Sequence, residues 1–167
     1  MTEYLENHRP IYLDHAATTP LDPLVLEKML PYMSEMYANP SSLYSMGQQS
    51  RIAVDNSREK IASILNCRPT EIIFTSGGTE SDNTAIKGGS QGLSQQGNHI
   101  ITSSIEHHAV LNTFYQMQDQ GYDTTFIKVG SDGLVNPQDI LNAMTDKTVL
   151  VSIMSASSLF SYDTFHL

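Results

Sequence analysis

A chain of 167 residues, 40% of them hydrophobic, is long enough to bury a core as one domain or as a large piece of one. Its 18 acidic against 9 basic residues give a net charge of -9, which repels nucleic acid and anionic lipid and leaves no basic stripe to track phosphates. No apolar run approaches a membrane span, the N-terminus is polar and acidic rather than signal-like, and a lone Cys67 excludes an internal disulfide, so the chain reads as cytoplasmic.

After the leader, Ile11-Tyr12-Leu13 predicts a short strand and residues 14–20 a loop of small side chains. Asp22-Pro23 starts a helix to about Glu35, with proline in the first turn, where its missing N–H costs nothing. Met29, Met33 and Met36 on that helix read as packing residues. Asn39-Pro40-Ser41-Ser42 breaks the chain and caps a long helix, whose apolar face is Val54, Ile61, Ile64 and Leu65. At its end Cys67 is either a small buried residue or a reactive thiol.

From there the pattern alternates between two periods. Strand-like segments at 71–75, 100–105, 124–129 and 148–154 are separated by helical ones at 80–87, 108–120 and 137–144, which predicts an α/β fold with helices on both faces of the sheet. Residues 88–98, rich in Gly, Ser and Gln, read as a surface connection, and no composition shift marks a linker. Residues 149–153 read as a buried central strand. The tail 155–167 carries neither helix signals nor a core pattern, so the chain divides into a folded part, 1–154, and a divergent or frameshifted tail.

The densest chemistry lies in Phe74-Thr75-Ser76-Gly77-Gly78-Thr79-Glu80-Ser81-Asp82-Asn83, where a strand runs through two glycines into a helix opened by hydroxyl and acidic residues. Glycines let the backbone approach an anion, the free N–H groups of the helix's first turn point at it, and the helix dipole favours its charge. Thr79 adds a hydroxyl donor. That layout holds a phosphate; the same turn also serves as a plain connection. Neither G-x-x-x-x-G-K-[ST] nor G-x-G-x-x-G occurs, so the two standard nucleotide cradles are excluded. Glu106-His107-His108 ends another strand, and the carboxyl ends of strands are where doubly wound sheets bind ligands. His107 either lays its ring across a planar ligand or is a polar helix-start residue. Adjacent histidines do not converge on one metal, so no metal site is expected, and no G-x-S-x-G elbow supports a serine nucleophile.

Tyr12-Leu13-Asp14-His15-Ala16-Ala17-Thr18-Thr19-Pro20, Asn39-Pro40-Ser41-Ser42 with Gly47, the run from Phe74 to Asn83, and Glu106-His107 with Ala109-Val110 occur in this order. Together, over about residues 11–154, they closely resemble the cysteine desulfurases, pyridoxal-phosphate enzymes of the class V aminotransferase group. The resemblance implies a three-layer αβα, mainly parallel, aminotransferase-type large domain, here incomplete, and a homodimer. It also implies removal of sulfur from L-cysteine to leave L-alanine, for iron–sulfur cluster assembly or transfer RNA thiolation. Pyridoxal 5'-phosphate is the implied cofactor, with Gly78 and Thr79 on its phosphate and His107 stacked on its ring. Ala16, Ala17 and Thr18 are implied in the substrate pocket.

Against the family pattern, the Schiff-base lysine, the aspartate pairing with the pyridine nitrogen and the persulfide cysteine are expected beyond Leu167, and neither Lys87 nor Cys67 matches them. Ser155-Ala156-Ser157-Ser158-Leu159 stands where the family continues Ala-Asn-Asn-Glu-Ile-Gly, and Tyr44 where it commonly has histidine. The expectation is an N-terminal desulfurase portion, inactive alone, paired with a second copy or a full-length subunit and serving a sulfur-acceptor protein. Its rivals are a non-catalytic phosphate-binding or subunit-pairing protein and a degenerate gene product.

Overall fold

The computed structural model describes residues 11–15 and 17–155, and the chain forms two compact units, one up to Ile73 and one from Phe74. Ala16 and residues 156–167 lie outside the described residues, and so do the expectations for the substrate-pocket alanine and for most of the tail. Among the described residues no helix is long and apolar enough to cross a membrane.

The first unit holds α1 (Pro23–Ser34), α2 (Ser45–Leu65) and a single 3-10 turn, Pro69–Glu71. Asp22 caps α1 by accepting the Leu24 N–H at 2.7 Å, ahead of Pro23 in the first turn. The strand expected at Ile11-Tyr12-Leu13 does not form: those residues have no ladder partner among the described residues. No residue of α1 is buried: Met33 is 61% exposed and Met29 38%, while Met36, past the helix end, is half-buried. An apolar helix face predicts burial only where another surface covers it.

α2 starts later than its expected cap, with Tyr44 at the N-cap position. Asn39 instead closes a turn, accepting the Ser41 N–H on Oδ1 at 2.9 Å and the Ser42 N–H on its carbonyl at 3.0 Å. Gly47 lies against that turn so closely that a Cβ would stand 2.7 Å from the Ser42 carbonyl oxygen and 2.8 Å from that of Asn39. The covered stripe of α2 is Gly47, Ser50 and Ala62 with half-buried Val54, Arg58 and Ile61, at helical spacing. Val54 and Ile61 fall where expected. Ile64 and Leu65, 82% and 64% exposed, lie past the last covered turn. Arg58 Nη1 donates to the Ile72 carbonyl at 2.7 Å, and the Arg68 N–H donates to Glu71 Oε2 at 2.7 Å to close the 3-10 turn. Ile72 is extended, but residues 72–75 join no sheet among the described residues: β-branched side chains favour an extended backbone, whereas a strand also needs a neighbour.

The second unit alternates α3 (Gly78–Gly92), β1 (His99–Ser103), α4 (His108–Asp119), β2 (Asp123–Ile127), α5 (Pro137–Ala143) and β3 (Thr148–Ser152). The strands lie in the order β2-β1-β3, all parallel, as the alternation of periods predicts. α3 continues through Gly88 and Gly89, which the composition had assigned to a loop. Ile100, Phe114 and Met117 are fully buried and form the core with Ile86 and Val110, flanked by Tyr122, Phe126, Val149 and Leu150.

Within the described sheet β1 lies between the other two strands, and the apolar run at 149–153 falls in β3, which is half-buried there. Every residue of β1 is buried, although three of its five side chains are polar. Burial is tolerated because each finds a partner. His99 bonds Thr148 Oγ1 through Nδ1 at 2.7 Å and Thr125 Oγ1 through Nε2 at 2.9 Å, and Thr102 Oγ1 donates to the Ser152 carbonyl at 2.9 Å. Ser103 donates to Glu106 at 2.7 Å.

Candidate active site

The turn before α3 is held from within. Ser76 donates its N–H and its hydroxyl to Glu80 Oε2, at 2.7 and 2.6 Å, while Thr75 Oγ1 lies 2.6 Å from Ser81 Oγ. The Ser76 hydroxyl, and after it the Ser76 N–H, keep the Glu80 carboxyl below its ordinary value of 4.5. Ser81 N–H is the first amide to bond back, to the Gly77 carbonyl at 3.0 Å. The N–H groups of Gly78, Thr79 and Glu80 therefore have no acceptor among the described residues, which is the usual state of a helix's first turn. A Cβ on Gly77 or Gly78 would meet nothing within 4 Å, so the approach to this backbone is open.

His107 is the N-cap of α4: its Nδ1 accepts the Ala109 N–H at 3.1 Å. That bond sets the ring's orientation while leaving the ring exposed. Asn83 ties the two helix starts together. Its Nδ2 donates to the Thr79 carbonyl at 2.9 Å and to the Ala109 carbonyl at 3.4 Å. The consequence is one open groove of about 330 Å³ whose lining includes Thr79, Asn83, His107 and His108. Among the described residues no lysine or cysteine lines it.

Sequence reasoning named Thr79 and His107 and gave no role to Asn83 or Glu106. An Asn inside a helix is a weak helix former that readily bonds backbone groups, and this was the available signal for Asn83. Glu106 is only 5% exposed; its Oε1 accepts both the Ser103 hydroxyl and the Met154 N–H at 2.7 Å, joining the carboxyl ends of β1 and β3. No local pattern marks that bond, which spans 48 positions of sequence. Ala17 and Thr18 lie in the first unit, exposed, with the Ala17 N–H bonded to the Asp14 carbonyl at 3.1 Å. Among the described residues no group of three or more metal-binding side chains comes together.

The family described as Aminotransferase class-V matches residues 11–160. A cysteine desulfurase IscS of Clostridium botulinum is 46% identical over 151 residues, covering 90% of this chain and 38% of that protein. A solved NifS-like protein superposes with a TM-score of 0.82 at 37% identity, covering 88% of this chain and 40% of its own. A structure described as SspA in complex with cysteine gives 0.79 at 40% identity, covering 86% and 42%. The chain spans about 38% of the length of the curated relatives it matches. Since the matched region contains both the Ser76 to Thr79 turn and His107, the chain that carries this groove belongs to the class-V aminotransferase family, with cysteine desulfurases as its relatives.

Proposed function

We propose that this chain supplies the phosphate-holding and ring-stacking part of a pyridoxal 5'-phosphate site for cysteine desulfuration, with L-cysteine as substrate and the sulfur passed to an acceptor protein. The observation that carries the reading is the groove lined by both Thr79 and His107, together with first-turn N–H groups that have no acceptor among the described residues. These residues fit a phosphate ester on a flat ring: amide and hydroxyl donors, the positive end of a helix, open space above two glycines and one exposed imidazole. When bound, that cofactor supplies an electron sink for bonds at the amino acid's α-carbon.

In this reading Gly78 and Thr79 donate to the phosphate, and His107, its ring fixed by the cap to Ala109, covers one face of the pyridine. Ala16, Ala17 and Thr18 line the cysteine pocket; the family likeness alone supports this, as it does a homodimer or a full-length subunit as partner. A structural neighbour solved with cysteine supports the substrate class. A single thiol, which can form no internal disulfide, supports a reducing, cytoplasmic setting. Because no lysine or cysteine among the described residues lines the groove, a polypeptide of these 167 residues tested alone binds cofactor and does not turn cysteine over.

Titration of the purified chain with pyridoxal 5'-phosphate, followed by amide shifts at Gly78, Thr79 and Glu80, tests the site. Saturable binding is expected, competed by inorganic phosphate. His107→Asn, which keeps a capping acceptor and removes the aromatic ring, is expected to weaken it about 2- to 10-fold. Binding that is indifferent to both Thr79→Ala and His107→Asn overturns the assignment. Sustained release of sulfide and alanine from cysteine by this chain alone overturns the claim that it does not turn over.

A further inference from the structure

The Ser76-Gly77-Gly78-Thr79 turn contains two adjacent glycines, which lose the most backbone freedom on ordering, in an exposed position with open space around them. Something must hold such a turn if its amides are to face an anion together. Packing does not, since a Cβ at either glycine would touch nothing. The ties that exist are polar and come from the helix that follows. Glu80 takes both Ser76 donors on one oxygen, and Thr75 Oγ1 reaches the Gly77 carbonyl at 3.3 Å and Ser81 Oγ at 2.6 Å.

The helix start and the Ser76 donors favour the Glu80 charge, whereas a phosphate bound on the same amides would not. A carboxylate on the first turn of the helix whose free amides would hold a phosphate repels that phosphate. An acceptor is useful there; a negative charge is not. Both Ser76 bonds end on Oε2, so one carbonyl-type oxygen is enough to make them, and glutamine has one.

We propose that Glu80 is a positioning residue for the phosphate turn, acting through Ser76 and through its acceptor oxygen rather than its charge. This rests on the cofactor site proposed above. The hold that Ser76 exerts on the Glu80 carboxyl shows the same bonds from the other side.

Pyridoxine 5'-phosphate and pyridoxine share a ring, lack the aldehyde and differ in the phosphate, so they separate holding the phosphate from holding the ring. With the full chain, Glu80→Ala is expected to weaken pyridoxine 5'-phosphate about tenfold and to leave pyridoxine within about twofold. Glu80→Gln is expected to match the unmodified chain or bind the phosphate ester more tightly. Amide exchange at Ser76 in the free chain gives a reading that needs no ligand: faster in Glu80→Ala, unchanged in Glu80→Gln. Equal loss for both ligands, or equal loss in both variants, makes Glu80 a structural or charge residue and overturns the inference. Failure of the unmodified chain to bind either compound defeats the proposed function instead; the Ser76 exchange rates then decide the role of Glu80 by themselves.

Discussion

Replacing Glu106 by alanine removes the one acceptor that serves both the Ser103 hydroxyl and the Met154 amide. Ser103 is fully buried and has no route to water, so its orphaned hydroxyl costs about 1–3 kcal/mol; half-buried Met154 recovers part of its loss from solvent. Removing a buried carboxylate also relieves that group's own desolvation, which brings the net loss to about 2 kcal/mol. Glu106→Gln keeps a carbonyl-type oxygen where both bonds end, loses their charge assistance and should stay within about 1 kcal/mol of the unmodified chain. Urea titration followed by far-ultraviolet circular dichroism checks this, with the alanine midpoint lowered by about 1 M at an ordinary slope. Amide exchange at Met154 checks the local bond and should speed in the alanine variant alone. An alanine variant with an unshifted midpoint, or a glutamine variant as damaged as alanine, refutes the reasoning.

Gly47→Ala should destabilise by about 1–3 kcal/mol despite alanine's better helix propensity, because the new carbon would stand 2.7 Å from the Ser42 carbonyl oxygen; a raised thermal midpoint would falsify the close approach. Phe114→Ala, at a fully buried ring in contact with Phe126, should cost about 3–5 kcal/mol by urea midpoint. Tyr115→Ala, half exposed and stacked on Phe126, should cost about 1 kcal/mol, and similar losses for the two would contradict the assigned core. The Arg68 backbone N–H, and after it the Arg68 side chain, hold the Glu71 carboxyl below its ordinary 4.5. A carboxyl depressed in the folded chain stabilises above its unfolded value and stops doing so as pH falls through the folded value, so the 3-10 turn should loosen only below about pH 4.5. A carbon-detected titration of Glu71 should show the low midpoint, and Arg68→Ala should recover only the smaller part of the shift, since its backbone bond survives.

The second unit was legible because its signals are local. Alternating β-branched and helical segments predicted three parallel strands within one or two residues at each start, and Pro137 and the Asp22-Pro23 pair marked helix starts by themselves. What failed depended on partners elsewhere in the chain. Residues 72–75 had the composition of a strand and no ladder to join among the described residues, and Met33, Ile64 and Leu65 lay on apolar faces left mostly exposed. The polarity of a covered strand was equally hidden: β1, carrying His99, Thr102 and Ser103, is buried throughout and lies between the other two described strands. A polar residue in a strand argues against burial only until its partners are known, and Thr125, Thr148 and the Ser152 carbonyl lie 26 to 50 positions away.

The candidate site divides in the same way, and the division separates two kinds of residue. Groups that would face a ligand, Thr79 and His107, sit at helix starts whose chemistry is written in adjacent residues, so a local motif finds them. Groups that hold those helix starts reach across the fold or back along one helix turn. Asn83 bridges to Ala109, Glu106 to Met154 and Glu80 to Ser76, each as an ordinary polar residue in the sequence. Substitution should separate the two sets in opposite directions. Loss of Thr79 or the His107 ring changes what binds while leaving the fold alone, whereas Asn83→Ala removes the one side chain that joins the Thr79 and Ala109 carbonyls and should loosen the whole groove. The geometry of this groove is therefore set largely by residues that no local motif marks, Asn83 among its own lining and Glu80 and Glu106 outside it.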